Sequence, residues 1–136
     1  FLIGFCGFPR TEQLLQYKLV VEPQNGEEDE KYMVCMFVDA VRKCFKEGGF
    51  AKVENNEEKG GQFLVGYHGK LYEVEDNFQI GRASDGFDAI GAGREYALGA
   101  MKATPTLKPK ERILNALKIS AYFNIGVAPP FKVMRV

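Results

Sequence analysis

The sequence predicts a layered α+β domain in which helices pack against an antiparallel sheet. A chain of 136 residues has the usual size of one domain with one core. Two apolar runs flank His68 and Gly69, which is the pattern of a tight hairpin, and hairpin strands pair antiparallel. Two successive helix-forming segments near the end of the chain need a sheet on which to bury their apolar faces. A doubly wound parallel sheet is therefore not predicted.

Composition limits the class of protein and its partners. Hydrophobic residues make up 46% and charged residues 26%, which is ordinary for a globular protein and argues against disorder. Eighteen basic residues against 18 acidic ones give zero formal net charge, so neither nucleic acid nor a membrane surface is an expected partner. Cys6, Cys35 and Cys44 lack CxxC spacing and have apolar neighbours, which predicts reduced, partly buried thiols in a cytoplasmic protein.

The first half of the chain is expected to contain a strand, two helices and two loops. Pro9 and Thr11 mark the first turn of the first helix, and "EGG" at residues 47–49 ends the second one. The predicted order is a strand at 1–6, a helix within 8–19, an acidic loop at 23–30, an amphipathic helix at 31–47 and a polar loop at 51–61.

The second half is expected to contain the remaining strands and a pair of helices. Its predicted order is a hairpin at 62–76, a strand within 77–83, a short strand in "FDAIGAG" at 87–93, helices at 94–104 and 110–123, and a last strand that cannot start before Pro130.

A dinucleotide-binding site is the first interpretation of "GAGREY" to consider. The Rossmann fingerprint needs a third glycine at the position of Tyr96 and an acidic residue at the end of a following strand. The nearest acidic residue at that distance, Glu111, begins a helix instead. The pattern therefore disfavours a dinucleotide, and we expect no cofactor.

Three other features are typical of surfaces and turns. His68 is the only histidine and precedes a glycine in a hairpin, where a turn is the simpler interpretation than catalysis. The acidic runs "GEEDEK" and "ENNEEK" lack the ligand spacing of a calcium loop. The basic residues Lys108, Lys110 and Arg112 open a helix. We expect these residues at the surface and no metal site.

Two glycine junctions remain as candidates, at Gly7 and at Gly91–Gly93. Each follows a predicted strand and precedes a helix, so backbone N–H groups are available there to stabilise a developing oxyanion. Glycine also permits tight strand-to-helix crossings with no chemical role. The residue pattern leaves both interpretations open.

The segments "LIGFCGFPRTEQLL", "FDAIGAGREYALGAM" and "ERILNALKISAYF" resemble β-type proteasome subunits and the related bacterial ATP-dependent peptidase. The resemblance implies an N-terminal nucleophile hydrolase with a four-layer αββα sandwich. It also implies a threonine peptidase that forms rings of its own copies, cuts protein or peptide substrates and can work with an ATPase unfoldase.

The resemblance assigns roles to particular residues. Gly7 takes the oxyanion-hole position, and Gly91, Ala92 and Gly93 take a position that is normally Gly-Ser-Gly. Tyr122 takes the position of a supporting aspartate. The threonine nucleophile, its Asp and Lys, and the first strands of the sheets would all precede Phe1, and Cys6 does not replace the nucleophile. Residues 1–136 are thus expected to be a single proteasome-like domain that lacks its first strands. A non-catalytic structural subunit and a small-molecule amide hydrolase of the same fold are the alternatives.

Overall fold

The computed structural model describes residues 1–50, 52–54 and 57–135, with segments 52–54 and 57–59 described by their backbone only. Strand β1 spans Leu2–Phe5 and leads into helix α1, Pro9–Tyr17. Pro9 fits the first turn because its missing N–H would have no helical partner there. The Thr11 hydroxyl donates a 2.6 Å hydrogen bond to the Phe8 carbonyl, which secures the same turn. Both predicted elements are confirmed.

The predicted amphipathic helix is confirmed as one continuous helical segment. Helix α2, Asp29–Tyr32, passes through a π-helical turn, Met33–Phe37, into α3, Val38–Glu47. The segment begins two residues earlier than predicted, so the acidic loop is shorter than expected. It ends at Gly48 and Gly49, and the φ angle of +73° at Gly49 suits glycine.

The predicted polar loop at 51–61 is wrong for its central part. Strands β2, Lys52–Glu54, and β3, Glu57–Lys59, pair antiparallel with each other. Val53 is their only apolar residue, so no hydrophobic alternation marked them as strands. The expectation that the "ENNEEK" run is solvated concerns side chains that lie outside the described residues.

The main sheet has four antiparallel strands in the order β1-β4-β5-β6. Its other members are β4, Phe63–Tyr67, β5, Lys70–Val74, and β6, Ile80–Arg82. The β4–β5 hairpin turns at His68 and Gly69, whose φ angles of +48° and +74° are those of a type I′ turn. The hairpin and β6 confirm the predicted antiparallel pairing.

Two separate apolar clusters form the interior. In the larger one, α1 and the α2–α3 segment cover one face of β4 and β5, with Phe37, Phe45, Phe63 and Tyr72 fully buried. The smaller one lies between helices α4, Arg94–Ala103, and α5, Pro109–Phe123, and is built around Met101. Both helices were predicted. None of the described helices is long and apolar enough to cross a membrane.

Two predicted strands are absent from the described residues. In "FDAIGAG", the Ala89 N–H donates to Asp88 Oδ1 at 2.8 Å, and the Ala89 carbonyl accepts from Arg94 Nε at 2.8 Å. Side chains thus occupy the backbone groups that a neighbouring strand would need. Residues 131–135 are also not a strand, since no described strand pairs with them.

Candidate active site

The first glycine junction lies where β1 turns into α1. Gly7 has a φ angle of +125°, which side chains with a Cβ rarely adopt. A Cβ at this position would lie 3.5 Å from Cζ of the Phe5 ring, in ordinary contact. The backbone conformation, and not a lack of space, is therefore what requires glycine here.

The second junction contacts the first. Gly91 has a φ angle of +90°, and a Cβ placed on it would lie 3.5 Å from Cys6 Cβ. The structure thus brings Gly91 against the residue that precedes Gly7, although the two junctions are far apart in sequence. An oxyanion hole needs this proximity, because the backbone N–H donors of one turn and the residues of the other turn must contact the same reacting group.

The residues after Gly91 differ in exposure. Ala92 is exposed, whereas Gly93 is buried against α5 and the loop that follows it. A Cβ on Gly93 would lie 2.7 Å from Val127 Cγ2 and 2.8 Å from Ser120 Cβ. Gly93 is therefore required for close packing, and Ala92 is the residue of the junction that remains open to a ligand.

Two side chains at the end of α5 hold this junction through its carbonyl groups. The one proton of the Ser120 hydroxyl is shared between the Gly93 carbonyl at 3.1 Å and the Ala116 carbonyl of its own helix at 2.9 Å. Asn124 Nδ2 donates to the Ala92 carbonyl at 2.8 Å. Asn124 Oδ1 also accepts from the Gly126 N–H at 2.8 Å, which fixes the amide group. The junction is thus fastened at two consecutive residues.

Tyr122 lies outside this arrangement. Its side chain is 83% exposed, and its ring stands edge-on to Phe123 with 4.9 Å between ring centroids. Asn124, two residues later, is the residue that reaches Ala92, and sequence reasoning missed both it and Ser120. An asparagine just after the end of a helix was the available signal, because such residues often bond to nearby backbone.

A cleft of about 450 Å³ runs from the two junctions along the α4–α5 pair. Its side chains are largely apolar and include Cys6, Ile90, Met101, Ile113, Leu117 and Val127. Such a cleft can bind an apolar side chain of a ligand, or a ligand in a strand conformation, next to the exposed residue Ala92.

Charged groups lie at the start of α4, next to this cleft. The Arg94 guanidinium is 3.2 Å from a Glu73 carboxylate oxygen and 3.7 Å from Asp88 Oδ1. The side chains of Glu73 and Asp88 are only 15% and 13% exposed. Two largely buried carboxylates therefore share one cation beside the junctions.

Cys6 lines the cleft but is a weak nucleophile. Its thiol lies 3.8 Å from the Gln62 carbonyl, and burial raises its pKa, with a further contribution from the charge of Glu73. A raised pKa lowers the thiolate fraction, and the thiolate is the reactive form. This environment is in keeping with the expectation that Cys6 does not act as a nucleophile.

His68 belongs to a different cluster, which fastens the hairpin to α2. Its Nδ1 lies 3.0 Å from Asp29 Oδ1, and Lys70 Nζ donates to Asp29 Oδ2 at 2.7 Å. Hydrogen bonds from Lys70, Gln24 and His68 hold the pKa of Asp29 well below its usual range. None of these residues lines the cleft at Ala92, so His68 acts as a turn residue.

Comparison with known proteins gives structural neighbours only. No family model matches the sequence, and no curated protein matches it. Among solved structures, the chain is similar to Thiobacillus denitrificans BPH, a bacterial proteasome homologue, with a TM-score of 0.77 and 21% identity. The match covers 94% of this chain and 70% of that one. The same homologue in complex with epoxomicin gives a TM-score of 0.75 and 20% identity over the same shares.

The fold is proteasome-like. In this proteasome-like fold, the segments that carried the sequence resemblance, at residues 2–15 and 87–101, are the segments that meet at Cys6 and Gly91.

Proposed function

We propose that this chain is the greater part of a proteasome-like threonine peptidase subunit. The observation that carries the proposal is the contact between the Cys6–Gly7 turn and the Gly91–Gly93 turn on a proteasome-like fold. Both turns border the cleft at Ala92, so one reacting group could lie against both of them.

The proposed chemistry is acyl transfer through an N-terminal threonine that precedes Phe1. Its hydroxyl adds to the peptide carbonyl carbon, its own amine takes the proton, and that proton passes to the leaving amine. The Gly7 N–H stabilises the oxyanion, and Gly91–Gly93 form the wall beside the nucleophile. Water then hydrolyses the ester that joins the acyl group to the threonine.

We further propose that strands preceding Phe1 complete a four-layer αββα sandwich. Within the described residues, β1 is paired on one side only. A groove of about 630 Å³ lies between β1 and α1, lined by apolar side chains that include Phe1, Ile3, Phe5, Leu15, Leu19 and Val21. A strand added beside β1 would pair with its free edge and fill this groove.

Intact-mass measurement of the purified protein tests the proposed strands. The proposal expects a mass larger than that of residues 1–136, or a second chain that copurifies. A stable folded monomer with the mass of these 136 residues alone would contradict it.

The proposed assembly is a ring of copies in the cytoplasm, fed by an ATPase unfoldase. Tyr96, Tyr122 and Phe123 form an exposed aromatic face on α4 and α5, with the Tyr96 and Phe123 rings stacked at 5.2 Å. Burial of this face against another copy would remove it from water. The free cysteines are in keeping with a reducing compartment.

A non-catalytic structural subunit is the second candidate, and a specific observation favours it. Ala92 has no hydroxyl to assist an amine, and the side chain that reaches its carbonyl is the neutral Asn124. A site without these polar groups could still hold its shape and contribute only to assembly.

Labelling with epoxomicin, which the structural neighbour binds, separates the two candidates. The protein from its complete gene is incubated with the inhibitor, and the modified residue is located by mass spectrometry. A peptidase gives one adduct per chain at the first residue of the mature protein, and a variant with alanine there gives none. An assembled protein that takes up no label supports the structural subunit.

A further inference from the structure

We infer that Arg94 is a positioning residue that fixes the two glycine junctions relative to each other. The inference rests on the proposed function, because it concerns the geometry of that same site. Arg94 is the first residue of α4 and directly follows Gly93, so a movement of its side chain is transmitted to the junction.

The Arg94 guanidinium has partners on two segments of the chain, strand β5 and the loop that precedes the junction. Nε donates to the Ala89 carbonyl at 2.8 Å, which closes the loop before the junction. Nη2 donates to Glu73 Oε2 on β5 at 3.2 Å and lies 3.7 Å from Asp88. One side chain thus ties the start of α4 to the sheet.

A path of hydrogen bonds leads from Arg94 through Glu73 to the first junction. Gln62 Nε2 donates to Glu73 Oε1 at 2.7 Å, so both carboxylate oxygens of Glu73 are occupied. The backbone carbonyl of Gln62 accepts the weak bond from the Cys6 thiol. Arg94, Glu73 and Gln62 therefore connect the Gly91–Gly93 turn with the residue before Gly7.

Charge explains why this path depends on Arg94. Glu73 and Asp88 are largely buried, and Arg94, which is itself 40% exposed, lies against both. Removal of the guanidinium leaves two neighbouring carboxylates without that cation, and a buried unpaired charge is strongly unfavourable. We expect Glu73 to turn toward solvent, which breaks its hydrogen bond with Gln62 and loosens the contact of Gln62 with Cys6. Lysine would keep the charge but could not span the carbonyl and the carboxylate with a planar fork.

The first test measures geometry and needs no enzymatic activity. The complete protein is labelled with ¹⁵N-glycine, and the amide shifts of the 15 glycines within residues 1–136 are compared between variants. Arg94→Gln should move the signals of both Gly7 and Gly91. Arg82→Gln is the matched control, because it breaks an Arg82–Glu30 pair of the same 3.2 Å length elsewhere, and it should leave both signals in place. An unmoved Gly7 signal in Arg94→Gln overturns the inference. If Arg94→Gln does not fold, Arg94→Lys should still move the signals of Gly7 and Gly91, and unmoved signals there overturn the inference equally.

The second test measures peptide hydrolysis. Arg94→Gln should lower kcat about tenfold, since small misplacements of reacting groups are costly, while KM changes less than about twofold. Arg94→Lys should recover part of kcat, and Arg82→Gln should match wild type. An unchanged kcat in Arg94→Gln overturns the inference. A wild-type protein without activity or label refutes the proposed peptidase, and the glycine signals then still decide the role of Arg94.

Discussion

Replacing Gly93 with alanine is the sharpest test of how the junction packs. The added Cβ would lie 2.7 Å from Val127 Cγ2, 2.8 Å from Ser120 Cβ and 3.2 Å from Ser120 Oγ. Ser120 is 1% exposed, and its Cβ is attached directly to the backbone of α5. The methyl group can therefore be accommodated only if α5 and the loop at Val127 move away from α4.

Forcing a methyl group into a packed site typically costs about 1–3 kcal/mol. Gly93 has a φ angle of −97° and lies at the N-cap of α4, so alanine gains little of the stabilisation expected in a helix interior. We expect Gly93→Ala to lower the free energy of unfolding by about 2 kcal/mol. Gly99→Ala in the same helix is the control, because no atom of the described part of the chain lies within 4 Å of its added Cβ. There, alanine should raise the free energy of unfolding by about 0.5–1 kcal/mol.

Urea unfolding followed by circular dichroism measures both changes. Wild type and the two variants are compared at one protein concentration, since assembly would make stability depend on concentration. The midpoints should shift in opposite directions while the slope with denaturant stays constant. Equal stabilities for Gly93→Ala and Gly99→Ala would refute the close contact between Gly93 and Ser120.

Three further predictions concern buried and charged groups outside the junctions. The Tyr72 hydroxyl is buried and has no hydrogen-bond partner among the described residues, so Tyr72→Phe should raise the free energy of unfolding by about 1 kcal/mol in urea unfolding, and a loss of that size would contradict its isolation. The pKa of Asp29 is lower in the folded protein than its usual value of 3.8, chiefly through Lys70, so its stabilisation is present above that value and is lost as the pH falls below it. Asp29→Asn should therefore lose stability less steeply than wild type between about pH 4 and pH 2 in acid unfolding, and equal slopes would contradict this. Cys35 is exposed, so the prediction of a partly buried thiol is wrong for this residue, while burial raises the pKa of both Cys6 and Cys44. A thiol reagent should therefore modify one cysteine quickly, and Cys35→Ser should remove that phase. A fast phase that persists in Cys35→Ser would contradict it.

Elements with a strong local signal could be predicted from the sequence. The helix at 31–47 has an apolar stripe and a glycine stop, and the structure places Phe37, Val41 and Phe45 of that stripe in the core. The hairpin follows from His68 and Gly69, because those residues tolerate the positive φ angles that a type I′ turn requires.

Elements that depend on distant partners could not be predicted. A strand needs a neighbour for its backbone groups, and local sequence does not show that Asp88 and Arg94 occupy those of Ala89. The pairing of Lys52–Glu54 with Glu57–Lys59 was missed because these strands are polar and show no alternation of apolar and polar residues. Their backbone groups nevertheless find partners in each other. At the candidate site, the sequence indicated both glycine turns, and their catalytic role stays a prediction. The path through Gln62, Glu73 and Arg94 was not, because no local pattern marks a contact between separate elements.

The hydrogen bonds of Asn124 determine what would happen if an aspartate, which the resemblance to proteasome subunits implies, were introduced near Ala92. That pattern places a carboxylate near the end of α5, and an Asn124→Asp change would supply one. The amide, however, donates to the Ala92 carbonyl and accepts from the Gly126 N–H. An ionised carboxylate could still accept from Gly126, but it would place a second acceptor 2.8 Å from the Ala92 oxygen. An aspartate at this position would therefore open the wall at Ala92 unless the rest of the junction changed with it. The hydrogen bond from Asn124 thus fixes the position of Ala92, and a change at either residue alters the geometry of the junction.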